Sequence, residues 1–347
     1  MKTSRIKTRD SNLELFRIIV MILIVAHHYV VNSGLKELLD SSQISSQSIY
    51  LYVLGMWGKT GINCFVFITG FFMCKSKISL NKIIQLLLEI YFYQIVIGCI
   101  FILFGYETIN VKTIIKILSP IHDLNNGFTS AFIVYYLIIP FLNILLNNLN
   151  CNQHKTLIVL CLFIYCLFSK IGILSLNYLS WFCVLHIIIS YIRFYSIPFE
   201  KNICVWGWIS SALVLLSIMS VILLKYLGKT QQIYWFVSDT NSVFALFLGF
   251  SSFMFFKNLK IRHFNIINTI AASTFGVFLI HANSNAMRQW LWCDTLQNAS
   301  YFGTFFGWIH PILCVVVVFS ICTLIDYLRR KMFEAPILNW ITSKLEK

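Results

Sequence analysis

Apolar residues along the chain gather into runs of bilayer-crossing length, separated by short polar stretches. A membrane helix, rising about 1.5 Å per residue, needs roughly 20 residues to cross the hydrocarbon core. On that ruler about ten spans are predicted, at 13–31, 54–74, 83–105, 129–147, 156–170, 173–194, 203–225, 233–256, 265–282 and 305–328. The fifth is short, and the second is interrupted by Gly58-Lys59. Residues 32–49, ending in SSQISSQS, read as a polar outer loop, and 106–128 as another. The expected fold is all-α and polytopic. One transmembrane domain covers 1–347, with short cytoplasmic tails at 1–11 and 329–347.

Composition points the same way. Hydrophobic residues make up 58% of the 347 and charged residues 12%, where a soluble domain carries about 25% charge. The formal charge of +14 would suit a nucleic-acid partner, but its distribution argues otherwise. Sorted by alternate loops, eighteen Lys and Arg fall on one side of the membrane and eight on the other, with Arg17 inside the first helix. The richer side should be cytoplasmic, which puts both termini inside and leaves no need for nucleic acid. MKTSRIKTRD resembles the charged start of a signal peptide, yet no small-residue cleavage site follows, so the segment is expected to be retained. Ser11 or Asn12 is placed to cap the helix after it. The eleven cysteines lie mostly in apolar segments and form no Cys-x-x-Cys pair. They read as small hydrophobes, and no metal site is expected.

The first span carries the sharpest chemistry. NLELFRIIVMILIVAHHY (12–29) sets Glu14 and Arg17 near one end of an apolar helix and His27-His28 near the other. Ionisable groups in a bilayer cost about 2.5–3.5 kcal/mol each on insertion scales, which makes them functional candidates. Arg17 and His28 are eleven positions apart, which is three turns plus about 20°, so they share a face roughly 16 Å apart along the axis. Glu14 can pair with Arg17 across i,i+3. Snorkelling and interface anchoring would account for the same two residues.

Later segments add candidates. GKTGINCFVFITGFFM (58–73) holds Thr69-Gly70-Phe71, where Gly70 allows close approach of a helix or a ligand. The third span opens with Lys82-Ile-Ile-Gln85 and holds Glu89, which should face a partner or a polar cavity. His122 and Asp123 stand together in an outer loop. The fourth span contains Tyr136, Asn143 and the helix-kinking Pro140. His186 reads as a packed, hydrogen-bonded core residue. Trp181, Trp206, Trp208 and Trp235 read as interfacial aromatics, and Asp239 and Asn241 as polar enough to line a cavity. STFGVFLIHANSNAMRQWLW (273–292) ends a helix in His281, at the same predicted depth as His28. Two such histidines can converge on one site or stand as separate interfacial residues.

Arginine, ten intervening residues and histidine in the first span resemble the signature of the membrane-bound acyltransferase-3 family. Thr69-Gly70-Phe71 is similar to its Ser-Gly-Phe motif, and 273–292 to its late Phe-Gly-aromatic-Leu-Ile-His stretch. The fourth span follows a pattern of glycan-modifying members at Tyr136, Pro140 and Asn143 but departs at Gly127 and Phe132. Lys82 and Gln85 depart from the family's Arg-x-x-Arg pair, since lysine offers a phosphate a point charge without arginine's fork. The resemblance implies an O-acyltransferase, most simply an O-acetyltransferase, using acetyl-CoA or another acyl-CoA and a glycan acceptor such as a cell-envelope or exported polysaccharide. His28 would be the base, with His281 assisting. Arg17 and Lys82 would hold the donor, and His27, Tyr136 and Asn283 the acceptor. The expected location is the plasma membrane. A transporter or flippase of glycans or acyl groups is the competing reading. A glycan polymerase would need a large arginine-rich outer loop, which the chain lacks.

Overall fold

The computed structural model describes residues 11–121, 123–124, 127–169, 172, 176–237 and 239–345, except for the side chains of Lys112, Thr342 and Leu345. Residues 1–10, His122 and Lys170 lie outside the described residues. Among the described residues the chain is helix and turn, without a strand. It opens with α1 (Ser11–Val31), α2 (Leu35–Ser41), α3 (Ser46–Gly55) and α4 (Gly58–Met73). Next come α5 (Leu80–Leu103), α6 (Val111–Leu118), α7 (Phe128–Asn147) and α8 (Cys151–Leu162). They are followed by α9 (Tyr178–Phe194), α10 (Ile203–Tyr226), α11 (Val243–Asn258) and α12 (Asn265–Ala271). α13 (Thr274–His281), α14 (Asn285–Arg288), α15 (His310–Arg329) and α16 (Ala335–Leu345) complete the chain.

Seven helical runs among the described residues are long and apolar enough to cross a bilayer. An eighth is added if Asn265–His281 and Asn285–Tyr301, which meet at 94°, form one span. The shorter apolar helices α9 and α11 stand where the sixth and eighth spans are predicted. The chain is a multi-pass helical membrane protein. α1 is its hub, packed against α3, α4, α11, α12, α13 and α15. Its Leu13, Phe16, Val20, Met21, Val25 and Tyr29 are buried. α10 lies at the periphery, with Trp208, Leu215, Met219 and Leu223 exposed, as a lipid-facing surface requires.

Several expectations change, each for a traceable reason. Residues 32–49 are largely helical, because a reciprocal Ser45–Ser48 capping box starts α3 and buried Gln47 bonds Gly303 N and Thr304 O. Within 106–128, the Asn110 side chain accepts from Thr113 N at 2.9 Å and starts α6. Neither Ser11 nor Asn12 acts as a conventional cap. Asn12 Nδ2 donates to the Phe256 and Lys257 carbonyls, while Ser11 ties to Asn268 and Phe264 N. The predicted eighth span begins only at Val243. The residues before it form a hydrogen-bonded loop in which Asn241 donates to Tyr165 O and Thr240 O accepts from Asn63. Asp239 is exposed in that loop. Trp181 is no interfacial aromatic: it is fully buried and donates to Asn63 Oδ1 at 2.9 Å. Beyond Arg329 the chain continues through a wide turn, Arg330–Glu334, into α16.

Candidate active site

Two helix ends build the centre. α1 delivers His27 and His28 in its last turn, and α13 ends on fully buried His281. His281 Nδ1 lies 2.6 Å from the Val277 carbonyl and must donate to it, since a carbonyl only accepts. In the neutral ring, Nε2 then carries the lone pair and accepts from His28 Nδ1, 3.0 Å away. That fixes the tautomer of His28 and leaves its Nε2 as the basic nitrogen. A carbonyl orients one imidazole, which orients the second, in the manner of a triad's orienting group. His27 is fixed separately. The break between α3 and α4 leaves the Gly55 carbonyl to accept from His27 Nδ1. Gly58 packs against the imidazole so closely that any Cβ there would collide with it.

His28 and His27 line a cavity of about 490 Å³, shared with Gly58, Lys59, Phe128, Asn283 and Arg288 among others. The 94° bend after His281 turns Asn283, Ser284 and Asn285 towards this space, and Ser284 caps α14 by accepting from Met287 N at 3.1 Å. Deeper, a far smaller void is lined by Met21, Ile24, Ile62 and the phenylalanines 65, 128, 275 and 278. Ile24, Ile62, Phe128 and Phe278 border both spaces. An aromatic floor therefore separates the histidines from the Arg17 end of α1.

Arg17 does not line the cavity. It pairs with Glu14 at 3.4 Å and lies over the Phe72 ring. Arg193 lies over the neighbouring Phe71 ring at 4.7 Å, and Lys75 over Phe194 at 5.4 Å. Three cations from α1, α9 and the end of α4 thus sit on aromatic faces at one end of the bundle. Lys82 is exposed, and Gln85 donates to Glu334 at 2.6 Å. Glu89 faces Arg329 at 3.4 Å.

Other candidates stand apart. Tyr136 packs towards Phe132 without lining the cavity. His186 is hydrogen-bonded on both nitrogens: Asn143 donates to Met73 O, so its Oδ1 accepts from Nε2, and Nδ1 accepts from Tyr135. This satisfied network joins α4, α7 and α9. Gly70 lies in it, against Ile189 and His186, as a helix-packing glycine. Lys59, Arg288, Gln94 and Tyr178 line the cavity without having been singled out from sequence. Lys59 was detectable as a charge inside an apolar segment. Arg288 stands seven positions beyond His281, in a stretch whose sequence does not show which space it faces. Gln94 and Tyr178 carry no local signal.

No curated protein and no solved structure matches the chain. A family model described as an acyltransferase domain matches residues 10–329, nearly the full length and both histidine-bearing helices. The chain is a membrane acyltransferase of the acyltransferase-3 family.

Proposed function

We propose that the protein is an O-acyltransferase of about ten spans in the plasma membrane, with both termini cytoplasmic. It moves an acyl group, most simply acetyl from acetyl-CoA, to a hydroxyl of a cell-envelope or exported polysaccharide. The observation that carries the reading is the Val277 carbonyl–His281–His28 relay beside the polar cavity. His28 Nε2 takes the hydroxyl proton as the oxygen attacks the thioester carbonyl. The tetrahedral intermediate collapses with cleavage of the C–S bond, and the proton passes to the departing thiolate. Ester and free thiol are the products. Lys59 supplies positive charge beside the developing oxyanion. The donor enters at the Arg17 end, where Arg17, Lys75 and Arg193 offer its phosphates three cations, and Lys82 stands just beyond. Its thioester reaches His28 when the phenylalanine floor opens. His27 and Asn283 contact the acceptor. Tyr136, away from the cavity, has no part in this scheme.

The test compares O-acyl esters on the surface polysaccharide of cells without the gene and cells complemented with it. Ester signals in the NMR spectrum that depend on the gene, with polymer export unchanged, support the reading. If export or chain length responds and acylation does not, the protein is a transporter. A local check follows from Gly58. Gly58→Ala drives a methyl into the His27 ring and should cut acylation at least about tenfold, since small misplacements of catalytic groups cost up to about 10² in rate. Acylation at the wild-type level, with equal protein in the membrane, would show that His27 does not need this seat.

A further inference from the structure

The cavity is unevenly charged. Among the described residues Lys59, Lys116 and Arg288 line it, against one carboxylate, Asp123. Lys116 is paired with Glu107 at 3.2 Å, and Lys59 donates to the Tyr178 hydroxyl. Arg288 is different. Its guanidinium makes a long hydrogen bond, 3.4 Å to the neutral amide of Asn285, and its buried Nε has no hydrogen-bond partner among the described residues. A guanidinium carries five donors in a planar fork suited to carboxylate or phosphate. A half-buried cation with donors to spare is best completed by an anion. Asn283, Ser284 and Asn285 beside it add neutral polar groups suited to sugar hydroxyls.

We propose that the cavity takes an acidic glycan, with Arg288 holding a carboxylate or phosphate of the acceptor while a neighbouring hydroxyl faces His28. This rests on the acyltransferase reading above and narrows its substrate class. The excess charge makes association with an acidic polymer favourable, and Lys59 reinforces it. In the acyltransferase reading the donor's phosphates lie at the Arg17 end, and the phenylalanine floor stands between that end and Arg288.

The experiment starts from the polymer that carries gene-dependent esters. Its esterified repeat unit should contain a uronic or other sugar acid, or a phosphodiester; a neutral repeat unit overturns the proposal while leaving the acyltransferase reading intact. Absence of gene-dependent esters on any polymer overturns that reading, and this one with it. Arg288→Gln should lower acylation about tenfold or more, the loss expected for a charge-assisted hydrogen bond. Arg288→Lys should retain part of it as a point charge. Wild-type acylation by Arg288→Gln overturns the assignment. In membrane vesicles, Arg288→Gln should leave the KM for acetyl-CoA unchanged. A raised value would make the bound anion the donor's own phosphate and would also overturn it. The repeat-unit analysis decides the matter even where a variant fails to accumulate.

Discussion

His28→Ala, at matched protein levels, should lower acyl transfer by about 10²- to 10⁴-fold, the contribution of a positioned general base. Polymer export should stay unchanged. The size follows from the geometry: His28 Nε2 is the nitrogen left basic by the Val277–His281–His28 chain, and it belongs to a cavity-lining residue. His281→Ala should cost less, because His281 is fully buried, bonds His28 Nδ1 and in the proposed mechanism acts only by orienting it. Its loss frees the His28 ring to take the other tautomer, so kcat should fall while the KM for the acyl donor holds. Glutamine at 281 can still present an accepting oxygen to His28 Nδ1 and should recover part of the rate. Esters measured by NMR on the purified polymer, with protein quantified by immunoblot, give the answer. Near wild-type acylation by His28→Ala would remove the base from the mechanism. Equal losses in kcat for both alanine variants would mean that the two rings act as one unit, as residues of a catalytic triad do.

The sequence made some of this legible and hid the rest. Hydropathy located the long helices, because bilayer thickness imposes a length that a linear reading detects. The 3.6-residue period put Arg17 and His28 on one face of α1, and equal predicted depth brought His281 under suspicion. The direct bond between the rings depends on the packing of α1 against α13, which no local pattern encodes. The same limit explains the loops. Gln47 and Ser48 look like solvent-facing polar residues, yet they are buried, and Gln47 is satisfied by a segment more than 250 positions away. Polarity predicts water only when no distant partner supplies the hydrogen bonds. Trp181 misled in the same way, since its indole N–H finds Asn63 inside the bundle. Arg288 had the opposite problem. It was plain in the sequence, and only the bend after His281 revealed which space it faces.

Arg329→Met should be the most damaging substitution for stability, lowering protein accumulation in the membrane rather than intrinsic activity. Its guanidinium, 3% exposed, binds Asp326 at 3.0 Å and Glu334 at 2.6 Å, and faces Glu89 at 3.4 Å. Tyr93 adds a hydrogen bond to Asp326 at 2.9 Å. One residue thereby ties α5, α15 and the turn before α16. Removing one partner from a buried ionic cluster costs about 3–5 kcal/mol, because the remaining charges stay buried without compensation. Here three carboxylates would be left. The damage should reach the site, since Gly276 of α13 packs directly on Asp326 in a gap that admits no Cβ, and His281 ends the same helix. Arg329→Lys should rescue only partly, as an ammonium cannot reproduce a fork that serves three acids. Adding Glu89→Gln and Glu334→Gln to Arg329→Met should recover more, because one buried carboxylate, Asp326, which still accepts from Tyr93, is then left in place of three. Quantitative immunoblots of membranes and thermal unfolding in nanodiscs provide the readouts. Wild-type levels and melting in Arg329→Met would mean that the carboxylates shed their charge at little cost, and that packing of α13 on α15 holds this end of the bundle instead.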